Sequence, residues 1–512
     1  MIKYAAPEEK GLSSDNILAF CDKLKAHHIP MHSVVLYKDD SIVSECYYSP
    51  FKKGELHRMF SVSKSVTALA IGLLADSGRL SLDDKIVTYF PDKVPSPCHK
   101  WLADMTIRDM LMMRTCHVKS TYNKFDLSSD WVGSFFNTVP TKKSGTVFHY
   151  DTSAAHVLAA LTERLTGTAL WDYFRDTLPE LELSEDSYIL KDGQGVSMGG
   201  TGLVATTDDL LKIGILLLND GSYNGKQLIS AKYIREATSL LTHNCVASPL
   251  PSEGSGYGYM IWRTERNGFV CYGMGGQLII VHPKYRIILI TTADTQGLSG
   301  ANQLIYNAFY DEILDKLPDK LPDACLSSDT PEKLSDACPG SDAPANALSL
   351  NRLREYEATA QLEIAAPPES FASDSSCKCS LKQLSTGKFH EYTFTDSSYF
   401  TGIELMLPDI NDDNSEGMLT LKTRDAKLPF PFYLGRNKAD ILPGYNYKCY
   451  SSGYILDEST LYIKTSIIDS IVGSIHFELY FGDNDVTVFI KKIEETMLNE
   501  FNATLYGVKN EN

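Results

Sequence analysis

The chain reads as an α/β (α+β) fold, an antiparallel sheet flanked by helices, followed by a C-terminal, mostly β accessory domain. Three patterns predict it. Strand pairs stand near both ends of residues 1–317, a long helical region lies between them, and short alternating strands fill residues 380–512. Strands at both ends with helices between predict one sheet assembled from the two ends and covered by the helical region.

The first strand pair is Ser33–Tyr37 and Ile42–Tyr47 around the polar turn Lys38-Asp39-Asp40-Ser41. Helical patterns dominate from residue 62 to about 240. A second pair follows, Gln277–Val281 and Arg286–Ile290, joined at His282-Pro283-Lys284. An amphipathic helix then runs from Asn302 to Leu317, with Leu304, Ile305, Ala308, Phe309, Ile313 and Leu317 on one face. Residues 318–379 read as a linker or insert. Lys-Leu-x-Asp-Ala-Cys occurs at 320–325 and again at 333–338, in a stretch rich in Pro, Ser, Asp and Ala. In residues 380–512, Ile475, Phe477, Leu479 and Phe481 alternate with His476, Glu478 and Tyr480. Gly482-Asp483-Asn484-Asp485 then turns into Val486, Val488 and Ile490, a β hairpin. This domain is expected to be barrel-like, with a short helix near Glu494–Phe501.

At 512 residues the chain is too long for one core and splits into domains. Hydrophobic residues make up 43% and charged residues 22%, an ordinary globular balance. The net charge of −17 argues against nucleic acid or an anionic membrane surface as a partner. The opening Met1-Ile2-Lys3-Tyr4 has no basic segment leading into an apolar stretch, so no signal peptide is visible and a cytoplasmic location is expected. The 11 cysteines then read as reduced thiols. Cys377 and Cys379 form a lone C-x-C without a second cluster, so no metal site is expected.

Covalent hydrolysis of an ester or amide needs a hydroxyl beside a base. Ser-x-x-Lys supplies both, because residues three apart share one helical face. Burial strips solvation from such a lysine and makes it a usable base. The tetrapeptide occurs at Ser49/Lys52, Ser61/Lys64, Ser375/Lys378 and Ser385/Lys388. Only Ser61 opens a long helical segment, Ser63 through Asp76, which is apolar nearly all round and therefore buried. The bland alternative is that Ser61 caps the helix while Lys64 reaches solvent. A competing nucleophile, Ser197 in Gly195-Val196-Ser197-Met198-Gly199, matches Gly-x-Ser-x-Gly. That elbow needs a helix straight after the serine, and Gly200-Thr201-Gly202 follows instead.

Phe60-Ser61-Val62-Ser63-Lys64-Ser65 and Leu73 through Asp84 resemble the serine β-lactamase and penicillin-binding-protein superfamily, nearest its class C-like esterase and amidase branch. Met105–Met113, Phe148–Ser153, Gly199–Leu210 and Gly273-Met274-Gly275-Gly276-Gln277 resemble further family segments in the right order. The similarity covers roughly residues 5–317. It implies a β-lactamase-like fold in which Ser61 forms an acyl-enzyme, Lys64 takes or relays the proton, and Tyr150 serves as base or acid toward the leaving group. The backbone N–H groups of Ser61 and Met274 would form the oxyanion hole. Substrate would lie against Thr152, Trp262, Gly273, Gly275 and Gln277, with Thr152 standing where an asparagine is common. A core-packing role is the plainer reading of Tyr150 and of Trp262. Cys271-Tyr272-Gly273 aligns with the family's Lys-Thr-Gly, so the pair that holds a substrate carboxylate is missing, which favours a neutral ester or amide. Cys116 replaces a usual glycine. His57 and His149 read as local hydrogen-bonding residues, since the scheme needs no histidine.

The reading is a serine hydrolase acting on a small-molecule ester or amide through an acyl-serine, with no metal and no organic cofactor. Two alternatives stand beside it: β-lactamase or D,D-peptidase activity, and a non-catalytic scaffold whose β domain engages a partner. Oligomeric state is open, as is whether the β domain caps the site.

Overall fold

The computed structural model describes residues 2–317, 343–367 and 381–510, apart from positions 125, 127, 249, 382–383, 396–398, 410, 413 and 495–496. It divides into two compact units, Met1–Ala360 and Gln361–Asn512. Cys377, Cys379 and the Ser375/Lys378 pair lie outside the described residues.

In the first unit the two ends of residues 1–317 meet in one seven-stranded sheet. Met31–Lys38 pairs with Ser41–Tyr47 on one side and with Ile287–Ala293 on the other, Val35 opposite Ile290 and Leu36 opposite Leu289. The sheet continues through Gln277–His282 and Phe269–Gly273 to a short edge strand, Trp262–Arg263. These pairings are antiparallel, and only Lys3–Tyr4 joins in parallel, against Ser41 and Ile42. Val34, Val35, Ile279, Ile280, Ile288 and Ile290 are at most 2% exposed, as expected of strands covered on both faces.

The helical region packs around Val62–Asp76, in which every residue from Val62 to Leu74 is buried. Helices Thr152–Thr166 and Leu170–Thr177 contact it. The last sequence-predicted helix runs Ala301–Glu312 and ends in a 3-10 turn, Leu314–Lys316. Residues 343–359, inside the stretch read as linker or insert, form a helix. Its Leu353 is 0% exposed, Tyr356 Oη lies 3.1 Å from Tyr48 Oη, and Ser44 Oγ donates to Glu357 Oε1 at 2.6 Å.

The second unit is a ten-stranded β sheet closed by a parallel pairing of Tyr433 and Leu434 with Ser452 and Gly453, a barrel. Val472–Phe481 pairs with Asp485–Ile493 in the predicted hairpin, and Ile475, Phe477, Leu479 and Phe481 turn inward. Phe430 fills the interior against Phe477 and Phe501. Of the short helix expected near Glu494–Phe501, a 3-10 turn at Asn499–Phe501 is present. No helix among the described residues is long and apolar enough to cross a membrane.

Candidate active site

Ser61 stands at the junction of strand His57–Phe60 and helix Val62–Asp76. Phe60 takes a left-handed backbone (φ 45°), a costly conformation for a bulky residue, and it turns the strand directly into the helix. The Ser61 side chain makes no capping bond. Ser63 does the local tying instead: its hydroxyl donates to Phe60 O at 2.5 Å and accepts from Leu203 N at 2.8 Å. Ser61 Oγ is left to Lys64, whose Nζ lies 2.9 Å away. That contact is a donation in the ammonium form and an acceptance in the neutral amine. Lys64 is 1% exposed and also donates to Gly200 O at 2.5 Å. The arrangement is the opposite of a capping serine with a solvent-reaching lysine.

Tyr150 precedes helix Thr152–Thr166, and its ring centroid lies 4.7 Å from Lys64 Nζ. The helix start is fixed by Asp151, fully buried, which accepts from Ser153 N at 3.0 Å and from Thr115 Oγ1 at 2.9 Å. Burial pushes the Asp151 carboxyl above the usual carboxylate range, against those hydrogen bonds. Thr152 is half-exposed; its N–H donates to Ser120 Oγ at 2.9 Å. Its methyl closes on Gly200, where an added Cβ would meet Thr152 Cγ2 at 2.6 Å. Ser197 sits one turn of loop earlier, 1% exposed, with its N–H on Glu163 Oε1, and a strand, Leu203–Ala205, follows rather than a helix.

The third segment lies on the strand Phe269–Gly273. A Cβ on Gly273 would sit 2.3 Å from Met59 O, so only glycine lets this strand approach the strand that delivers Ser61. Met274 is half-exposed beside it, and Gly275 and Gly276 turn the chain at φ 81° and 90°. Gln277, expected in the substrate pocket, is 0% exposed. Its Nε2 donates to Met274 O at 2.8 Å and to Ala293 O at 2.9 Å, while its Oε1 accepts from Ala293 N at 3.0 Å. The register of the strand turns this amide inward, where it braces the Met274–Gly276 turn. Cys271 is likewise buried, and burial pushes its thiol up to about 12.

An aromatic wall adjoins Tyr150. Trp262 is 8% exposed, with ring centroids 5.3 Å from Tyr150, 5.0 Å from Tyr257 and 5.8 Å from Tyr272. Phe148 packs 5.1 Å from Tyr257. His57 is fully buried, bonded to Arg58 O and to His32 Nδ1, each at 2.9 Å. His149 N–H donates to Met113 O. Among the described residues no hydrogen bond joins either histidine to Ser61. Cys116 is 0% exposed, with His117 Nε2 3.6 Å from its sulfur. Sequence reasoning did not single out the Gly200 carbonyl as a partner of Lys64. The glycine-rich segment itself was visible, but a backbone carbonyl carries no residue-type signal.

A curated relative, the 6-aminohexanoate-dimer hydrolase of Paenarthrobacter ureafaciens, is 24% identical over 278 residues, 50% of this chain and 70% of its own length. Among solved structures, the octameric penicillin-binding protein homologue from Pyrococcus abyssi matches with a TM-score of 0.46 and 16% identity, covering 96% of this chain and 99% of that one. A penicillin binding protein from Bacillus halodurans matches at 0.45 and 16%, covering 56% and 98%. The beta-lactamase family model matches residues 18–309, more than half of the chain. With that match, the chain belongs to the beta-lactamase family and is a hydrolase.

Proposed function

We propose that the protein hydrolyses an ester or amide through an acyl-serine, with Ser61 as nucleophile and Lys64 as its base. The observation that carries the reading is the Lys64 amine, 1% exposed and 2.9 Å from Ser61 Oγ. A lysine at the start of a buried helix, aimed at a serine freed from capping, is costly to keep unless the amine is used.

In the scheme, the neutral Lys64 amine takes the Ser61 proton as Oγ bonds to the substrate carbonyl carbon. The Gly200 carbonyl holds one N–H of the amine, which leaves its lone pair for the serine hydroxyl. The oxygen of the tetrahedral intermediate would rest on the N–H groups of Ser61 and Met274. The proton passes to the leaving alcohol or amine, by Lys64 or through Tyr150 beside it, as the carbonyl re-forms and the leaving group departs. Water then attacks the acyl-serine with the proton transfers reversed, releasing a carboxylic acid and restoring Ser61. The name of the 24% identical relative, 6-aminohexanoate-dimer hydrolase, supports amides among the substrates.

Labelling with a fluorophosphonate tests the nucleophile. Wild type should label and Ser61→Ala should not; persistent labelling of the variant removes Ser61 from the role. Lys64→Met should lower turnover of a p-nitrophenyl ester by a factor of about 10²–10⁴ while the variant stays folded.

A further inference from the structure

The aromatic wall leads away from Tyr150 and ends on a carboxylate. Trp262 packs at a tilt against both Tyr150 and Tyr272. The Glu253 carboxyl and the Tyr272 phenol are near enough to perturb each other electrostatically, and Ser248 Oγ donates to Glu253 Oε2 at 3.1 Å. Residues behind orient the Tyr272 phenol. Thr295 Oγ1 donates to Asn302 Oδ1 at 2.7 Å, and Asn302 Nδ2 donates to Tyr272 Oη at 2.7 Å. Tyr272 Oη accepts from Asn302, so its phenolic proton is not used in that bond.

One hydroxyl, that of Ser248, hydrogen-bonds this carboxyl. Among the described residues no lysine, arginine or histidine pairs with it, although Glu253 is half-buried. A carboxylate taken partly out of water without a cation carries a charge that a bound cation would balance. Burial accordingly raises the Glu253 carboxyl above its usual range, and the nearby hydroxyls offset this only in part. Tryptophan and tyrosine faces attract cations as well. The net charge of −17 favours the approach of positively charged molecules.

We infer that Glu253, Trp262 and Tyr272 form a subsite for a cationic end, an ammonium or quaternary ammonium group, carried by the ester or amide that Ser61 attacks. The inference rests on the acyl-serine reading and replaces the expectation of a neutral substrate with a cationic one.

Two matched p-nitrophenyl esters test it, one ending in a trimethylammonium group and one in the isosteric tert-butyl group. Wild type should favour the cationic ester by about tenfold in kcat/KM, and Glu253→Gln should bring the ratio close to one. A ratio near one in wild type, or an unchanged ratio in Glu253→Gln, overturns the subsite. If Glu253→Gln folds poorly, competition on wild type decides. An alkyltrimethylammonium ion should inhibit hydrolysis of the neutral ester more strongly than its tert-butyl isostere, and equal inhibition overturns the subsite. Turnover of the neutral ester that is lost in Ser61→Ala keeps the acyl-serine reading intact whatever the ratio. If neither ester turns over and no fluorophosphonate labels Ser61, that reading fails and the subsite with it.

Discussion

His156 Nε2 lies 3.0 Å from Asp192 Oδ2, and neither side chain is more than 1% exposed. The pair joins helix Thr152–Thr166, which begins just after Tyr150, to the loop that ends at Gly200. Asp192 Oδ1 also accepts from Gln194 N and Val196 N, each at 2.9 Å, so one carboxylate sets the loop's shape. Removing His156 strands a buried carboxylate. His156→Leu should cost about 3 kcal/mol by urea unfolding. If the loop positions the Gly200 carbonyl for Lys64, kcat should fall more than KM rises and the pH profile of kcat should shift. A stability loss with an unmoved pH profile would assign the pair a purely structural role.

Gln277 leads to a second prediction. Its amide satisfies Met274 O, Ala293 O and Ala293 N. Gln277→Met keeps the volume and leaves those groups without their side-chain partner, a loss of about 3 kcal/mol. The rate of fluorophosphonate labelling should drop with it, because the Met274–Gly276 turn loses its brace. Labelling and unfolding equal to wild type would show that the turn holds its shape alone.

How far the sequence foretold this site depends on what each element leaves in residue types. The Val62–Asp76 helix was legible because it is apolar on every face, which only a central helix can be. Lys64's second partner was not, since Gly200 offers a carbonyl from 136 residues away. The inward hydrogen bonds of Gln277 were not legible, because sequence alone does not say which way a strand residue faces. The helix at residues 343–359 escaped notice because its start shares the Pro- and Ala-rich composition of the stretch before it. Partners elsewhere, Tyr48 for Tyr356 and Ser44 for Glu357, help hold it in place.

Gly273 supplies a third prediction. Its missing Cβ would lie 2.3 Å from Met59 O and 2.9 Å from Gln277 Cβ. Met59 O is backbone of the strand leading to Ser61, so it cannot swing aside as a flexible side chain would. Gly273→Ala should destabilise the unit by about 2 kcal/mol and lower ester turnover at least tenfold, a rough figure for a displaced oxyanion donor. Turnover within twofold of wild type would mean that the gap between these strands does not set the reaction geometry.

His57 makes the first unit sensitive to acid. Its ring is fully buried, and burial pushes its pKa down to about 4, the bond to Arg58 O opposing only in part. With Nδ1–H donating to Arg58 O, the neutral ring accepts at Nε2 from His32 Nδ1. A proton added at Nε2 would set two donors against each other. Burial also lowers His117 and His282 to about 4. Between pH 6.5 and 4 the unfolded chain therefore binds protons that the folded unit refuses, so stability falls as pH falls through that window and levels off below it. One such histidine contributes up to about 3 kcal/mol of this loss. Asp151, raised by burial, works in the opposite direction toward the acid end and blunts the slope there. Urea midpoints at pH 7, 5.5 and 4.5 should decline steadily for wild type. His57→Gln, whose amide supplies a donor and an acceptor without titrating, should decline less. A wild-type midpoint that stays flat from pH 7 to 4.5 would mean these rings exchange protons with solvent as freely as exposed ones.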